Sequence, residues 1–280
     1  MRTPLIVGNW KMYKTVDEAV QYVKDLCSLV KDIHDVDVVI APTFTALHAT
    51  ATTAGNNNVA IAAQDLYWEV EGAFTGEISG TMIHACGAQY VIIGHSERRA
   101  LFSETDTHVR KKVTAALTHS LTPIVCIGET LEQRESGKTF DILDHQIAIN
   151  LADIKTEQLA QIVIAYEPVW AIGTGKNATP MQAAEAHSHI RSRLASTFGK
   201  EAAAQCHVIY GGSVKPKNIQ ELIAQPDVDG ALVHYMDGLF ACGDHVACGR
   251  RLLAGWMDLF PDFNKNGPYK HHADPYQENH

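Results

Sequence analysis

Eight short apolar runs, separated by longer stretches of helical spacing, constrain this chain more than any other feature. They are "LIVGN" (5–9), "VDVVIA" (36–41), "VAIAAQ" (59–64), "YVIIG" (90–94), "LTPIVCIG" (121–128), "IVIAY" (162–166), "HVIYG" (207–211) and "DGALV" (229–233). They lack the alternation of apolar and polar residues that a half-exposed sheet shows, so each reads as a parallel strand buried on both faces. Eight strand–helix units over roughly 250 residues match the size of an α/β (β/α)8 barrel. A doubly wound open sheet is the alternative, and the strand count disfavours it. The chain of 280 residues contains no linker, so one domain is expected.

The intervening segments carry helix signals. In 16–30, Val16, Ala19, Val20, Val23, Leu26, Cys27 and Val30 fall on one face, and Thr15 with Glu18 forms a capping box. Thr179, Pro180 and Gln182 mark a second start, with an N-cap, a proline at the first helical position and a reciprocal partner at N3. A formal net charge of −9 argues against a nucleic-acid partner or an acidic membrane surface. An anionic ligand would need a local positive site. Six cysteines (27, 86, 126, 206, 242 and 248) show no paired framework, and no segment reads as a signal peptide or membrane span. The expectation is a soluble cytoplasmic protein with reduced thiols.

In such a barrel, chemistry sits where the strands end. Standing there are Asn9, Lys11, Gln64, Asp65, His95, Glu129, Glu167 and the "GGS" at 211–213. Glu167 leaves a strand just before "PVWAIGTGKNATP", where Pro168 fixes the exit and Gly173 and Gly175 loosen the loop. A carboxylate tied to such a loop suits a general base that strengthens when water leaves; a solvated surface glutamate is the bland alternative. His95 precedes "SERRALF", a helix start, which disfavours positive charge and leaves a neutral imidazole able to donate a hydrogen bond. A hydrogen-bonded core histidine is the alternative. Lys11 would supply fixed positive charge, or merely solvate a surface. "YGGSVKP" (210–216) offers backbone N–H groups and Ser213 as a phosphate nest, or is a plain tight turn.

"GNWKM", "AAQDLYWEVEGAFTGEIS", "VIIGHSERR", "CIGE", "AYEPVWAIGTGK" and "YGGSVKP" occur in this order, and with them the chain closely resembles the triosephosphate isomerase family from its first strand to about Val233. The resemblance implies a single TIM barrel that interconverts dihydroxyacetone phosphate and D-glyceraldehyde 3-phosphate without metal or organic cofactor, as a step of glycolysis and gluconeogenesis. It implies Glu167 as the base that moves a proton between two carbons, His95 as the polarising group, and Lys11 with Asn9 as substrate ligands that stabilise an enediolate. Gly173 and Ser213 would hold the phosphate, with Ser96 and Glu97 supporting the histidine. "GAFTGE" (72–77), with Thr75 at its centre, matches the loop by which subunits of the family dock, implying a homodimer. Cys126 matches a position near the site, where a small buried residue is its simplest role.

After "DGALV" the family pattern calls for a glycine pair whose amides complete the phosphate site. Here His234 and Tyr235 stand instead, and they are kept as candidate substrate contacts. Hydrogen bonds to a charged group contribute roughly 1.5–3 kcal/mol each. Losing two would therefore weaken binding about a hundredfold or more. That motivates an alternative: a catalytically weakened or silent phosphate-binding barrel. A different phosphate-handling barrel enzyme is a third reading. Further on, Asp244 as a cap and Val246, Leu253, Trp256, Met257 and Phe260 at helical spacing predict a helix covering the last flank. The barrel domain is thus expected over 1–260, and residues 261–280 as a polar, disordered tail. Cys242, His245 and Cys248 do not match a zinc spacing, so no metal is expected.

Overall fold

The computed structural model describes residues 2–172, 178–214 and 218–234. Eight strands run in chain order: β1 (Leu5–Asn9), β2 (Asp37–Ala41), β3 (Val59–Ala63), β4 (Tyr90–Ile93), β5 (Thr122–Ile127), β6 (Val163–Tyr166), β7 (His207–Tyr210) and β8 (Gly230–His234). Each pairs in parallel with the next, and β8 returns to β1 to close the barrel. That closing register runs from Leu5 opposite Gly230 to Asn9 opposite His234.

The absence of polar alternation in the strands follows from this closure. Leu5, Val7, Val39, Ala41, Ala62, Ile92, Ile124, Cys126, Val163, Ala165, Ile209 and Leu232 form one buried cluster that draws on all eight strands and fills the barrel. Their neighbours Ile6, Val38, Ile40, Ile61, Val91, Ile93, Val125, Ile164, Val208, Ala231 and Val233 belong to a second cluster, packed against the helices. A strand turns successive side chains to opposite faces, and here both faces are apolar surroundings.

The helices are α1 (Val16–Val30), α2 (Phe44–Ala54), α3 (Gly80–Ala85), α4 (Ser96–Leu101), α5 (Asp106–Thr118), α6 (Leu131–Glu135), α7 (Thr139–Asn150), α8 (Pro180–Phe198), α9 (Lys200–Gln205) and α10 (Ile219–Ile223). Thr15 begins α1, its backbone N–H donating to Glu18 Oε2 at 2.8 Å. Ala19, Val23, Leu26, Cys27 and Val30 form the buried stripe. Val16 shares that face, yet at the first helical position it is 40% exposed, because the stripe meets the core only from Ala19 onward. Thr179 and Gln182 exchange bonds at the start of α8, at 2.9 and 3.2 Å, with Pro180 as its first residue.

The expected helix from Asp244 to Phe260, the polar tail, the Cys242–His245–Cys248 spacing, Gly173 and Tyr235 lie outside the described residues. Among the described residues no group of three or more His, Cys, Asp or Glu side chains could hold a metal ion. No described helix is long and apolar enough to cross a membrane.

Candidate active site

Glu167 directly follows β6, and its backbone N–H donates to the Ile127 carbonyl at 2.7 Å. It is buried, with Gly211 leaving room for its side chain and Gly128 for its backbone. A Cβ on Gly211 would stand 2.8 Å from Glu167 Cγ, and one on Gly128 would stand 1.7 Å from the Glu167 carbonyl oxygen. The carboxylate Oε2 accepts the backbone N–H of Ser96 at 2.8 Å. Oε1 lies 3.1 Å from Nε2 of His95.

His95 ends the β4 connection and is the N-cap of α4. Its Nδ1 accepts the backbone N–H of Glu97 at 3.2 Å. An accepting Nδ1 carries a lone pair, which assigns the ring proton to Nε2 and makes the imidazole a neutral donor facing the carboxylate.

Lys11 follows β1 in a left-handed conformation, with φ of +50°. Such a backbone is uncommon for a residue with a side chain and needs support. Asn9 Oδ1 accepts the Lys11 N–H at 2.9 Å, and Gln64 Nε2 donates to the carbonyls of Lys11 and Ala41, both at 2.8 Å. The ammonium pairs with Glu97 Oε1 at 2.7 Å, while Glu97 Oε2 lies 3.7 Å from His95 Nδ1. Side chains from the ends of β1, β4 and β6 therefore converge as a chain: Lys11, Glu97, His95, Glu167.

Other predicted positions take different places. Ser213 is buried just past β7, and its carbonyl accepts Asn218 Nδ2 at 3.1 Å. Gly211, first of the "GGS", spends its N–H on the Tyr166 carbonyl at 2.7 Å. His234 ends β8 with its backbone opposite Asn9. Thr75 is exposed on the loop after β3. Cys126 is fully buried; burial and then the Glu167 charge push its thiol well above the usual range, so it stays protonated.

Two polar clusters were visible in the sequence only by their strand-end carboxylates. Glu129 is fully buried and accepts from Tyr166 Oη at 3.1 Å, Trp170 Nε1 at 2.9 Å and Arg134 Nη1 at 3.1 Å. The Arg134 guanidinium also sits over the Trp170 ring at 4.8 Å. Burial, reinforced by the Glu129 charge, raises the Tyr166 phenol well above its ordinary value. Asp65 pairs with Lys112 at 2.6 Å and Arg98 at 2.8 Å, and both cations also hold Glu104, at 3.1 and 2.7 Å. Glu104 Oε1 in turn accepts the Gly94 N–H at 3.2 Å, bracing the residue before His95. Burial raises the Asp65 carboxyl, whereas for Glu104 the neighbouring cations outweigh burial and lower it. Neither Arg134, Trp170, Lys112 nor Glu104 carried a signal of its own in the sequence.

A closed barrel that gathers a carboxylate, a donor imidazole and an ammonium at its strand ends has the architecture of a barrel enzyme arranged to move protons. A family model described as triosephosphate isomerase matches residues 4–235. Curated proteins named triosephosphate isomerase from Trichlorobacter lovleyi and Geobacter metallireducens are each 53% identical over 233 residues, and one from Chloroflexus aurantiacus is 52% identical. Each alignment covers 83% of this chain and 93% of the relative. The chain belongs to the triosephosphate isomerase family.

Proposed function

We propose that the protein interconverts dihydroxyacetone phosphate and D-glyceraldehyde 3-phosphate through an enediolate. Glu167 takes the proton from one carbon and returns it to the next. His95, with its proton on Nε2, polarises the carbonyl and relays the hydroxyl proton. Lys11 and Asn9 bind the substrate, and the ammonium offsets charge developing on oxygen. Gly173, Ser213 and the chain at His234–Tyr235 take the phosphate. The observation that carries the reading is the 3.1 Å approach of Glu167 Oε1 to His95 Nε2. A base and an electrophile in direct contact can act on one small substrate once the carboxylate swings aside to admit it. Glu167 must give up the Ser96 N–H to reach that substrate, and loss of water on closure then strengthens it as a base.

Steady-state isomerisation of glyceraldehyde 3-phosphate tests this. Glu167→Gln should lower kcat about 10²–10⁴-fold, the usual range for a general base. Wild-type protein giving no turnover above buffer would leave only a silent phosphate-binding barrel.

The same reading makes the protein a cytoplasmic homodimer. Met12, Leu101 and Phe102 are 91%, 72% and 65% exposed, and Val70, Phe74 and Met82 add to the uncovered apolar surface. Large exposed apolar side chains in the segments that follow β1, β3 and β4 suit a subunit contact. The free thiols of Cys27, Cys86, Cys126 and Cys206 suit a reducing compartment.

A further inference from the structure

His187 lies on α8 with none of its surface reaching solvent. Its Nδ1 is 3.0 Å from the Asp227 carbonyl oxygen. A carbonyl only accepts, so Nδ1 bears the proton and Nε2 is a bare acceptor. That nitrogen has no hydrogen-bond partner among the described residues. Burial pulls the imidazole down to about 4, so the ring is neutral near pH 7.

The surroundings of the ring are aromatic. It stands edge-on to Tyr166, with centroids 5.8 Å apart and planes at 88°, and lies 6.3 Å from Tyr210 at 34°. The tyrosines are themselves 6.4 Å apart. Edge-to-face and tilted rings at these separations attract one another and fix each other's angles.

Both tyrosines stand by the described ends, 168–172 and 178–179, of the segment that joins Glu167 to α8. Tyr166 donates to Glu129, which also accepts the Trp170 indole just after Pro168. The Tyr210 hydroxyl faces the backbone of Ala178 at the other end of that segment, without a hydrogen bond of full geometry. A Cβ on Gly212 would meet both the Tyr210 hydroxyl, at 2.2 Å, and Pro168 Cγ, at 2.9 Å, so Tyr210 also borders the segment's first residue.

We propose that His187 is a positioning residue for the reaction: its ring, pinned to Asp227 and standing as a wedge against the Tyr166–Tyr210 pair, sets where the segment after Glu167 departs and where it rejoins α8. The effect on turnover rests on the isomerase reading above; the effect on Trp170 does not.

The test compares H187A, H187F and H187Q in the full chain with I190A, which truncates another fully buried residue of α8. Thermal melting, kcat, KM and the Trp170 indole N–H resonance (assigned with W170F) are measured for each. H187A should move the Trp170 resonance and lower kcat about tenfold, and H187F, by refilling the wedge, should restore both. I190A should lower the melting temperature while leaving kcat and the resonance at wild-type values. H187A behaving as I190A does, or H187F rescuing neither readout, overturns the proposal. Should H187A not fold, H187Q, which fills less of the ring's space, decides it: a moved Trp170 resonance supports the role and an unmoved one refutes it. An inactive wild type would count against the isomerase reading alone, because the resonance would still report on the wedge.

Discussion

Gly211 shows how little room the site leaves. A single methyl there would press on Glu167 Cγ at 2.8 Å and only graze the Tyr166 carbonyl at 3.2 Å, whereas a methyl on Gly128 would collide with the Glu167 backbone at 1.7 Å. Gly211→Ala should therefore cut kcat by about 10–100-fold with a small change in melting temperature, because a misplaced base costs rate before it costs stability. Gly128→Ala should instead destabilise the fold itself, and melting curves beside kinetics separate the two. At the end of β8, changing His234 and Tyr235 to glycine should lower KM for the triose phosphate. An unchanged KM would mean that these positions do not contact the phosphate. The candidate site was legible one residue at a time, because strand ends announce themselves by a polar residue after an apolar run. Its partners were not. The Glu167–Ser96 bond spans 71 positions and the Lys112–Asp65 bond 47, and such pairings are set by barrel register rather than by any local pattern.

At the scale of elements, the observed strands fall within a residue or two of the apolar runs, since the double burial that shapes their composition is also what defines a barrel strand. Val16 is exposed although it shares the apolar face, because helical spacing reports a face and not where along it the core begins. Helix α8 carries the clearest dependence on pH. Folded His187 takes up no second proton until pH falls to about 4, against an ordinary 6.5, so the unfolded chain protonates first on acidification. The stability it contributes is complete above about pH 6.5 and is lost as pH falls toward 4, with a ceiling of about 3 kcal/mol. Urea unfolding followed between pH 7 and roughly pH 4.5 should show a shallower loss of stability in H187F than in wild type. Equal slopes would mean that another group governs acid sensitivity. Arg191 adds a tie from the same helix to the start of β8, donating to Asp229 and to the Ala203 carbonyl.

For the molecule as a whole, the uncovered apolar side chains lie in segments that follow β1, β3 and β4: Met12, then Val70 and Phe74, then Leu101 and Phe102. A charge introduced there should oppose self-association without touching the barrel. Leu101→Asp is expected to shift the sedimenting species from dimer toward monomer, while an unaltered mass would remove Leu101 from the contact.

The pairing of Leu5–Asn9 with Gly230–His234 has a consequence for how such a chain is made. The first strand synthesised waits for the last one, so until then the nascent sheet has an open seam bearing unpaired amides and carbonyls. Contacts this distant in sequence are slow to form, and an exposed seam is a template for pairing with a neighbouring chain. A ring of strands thus completes itself late and all at once, and the hazard of its assembly lies in the interval before residue 230 is available.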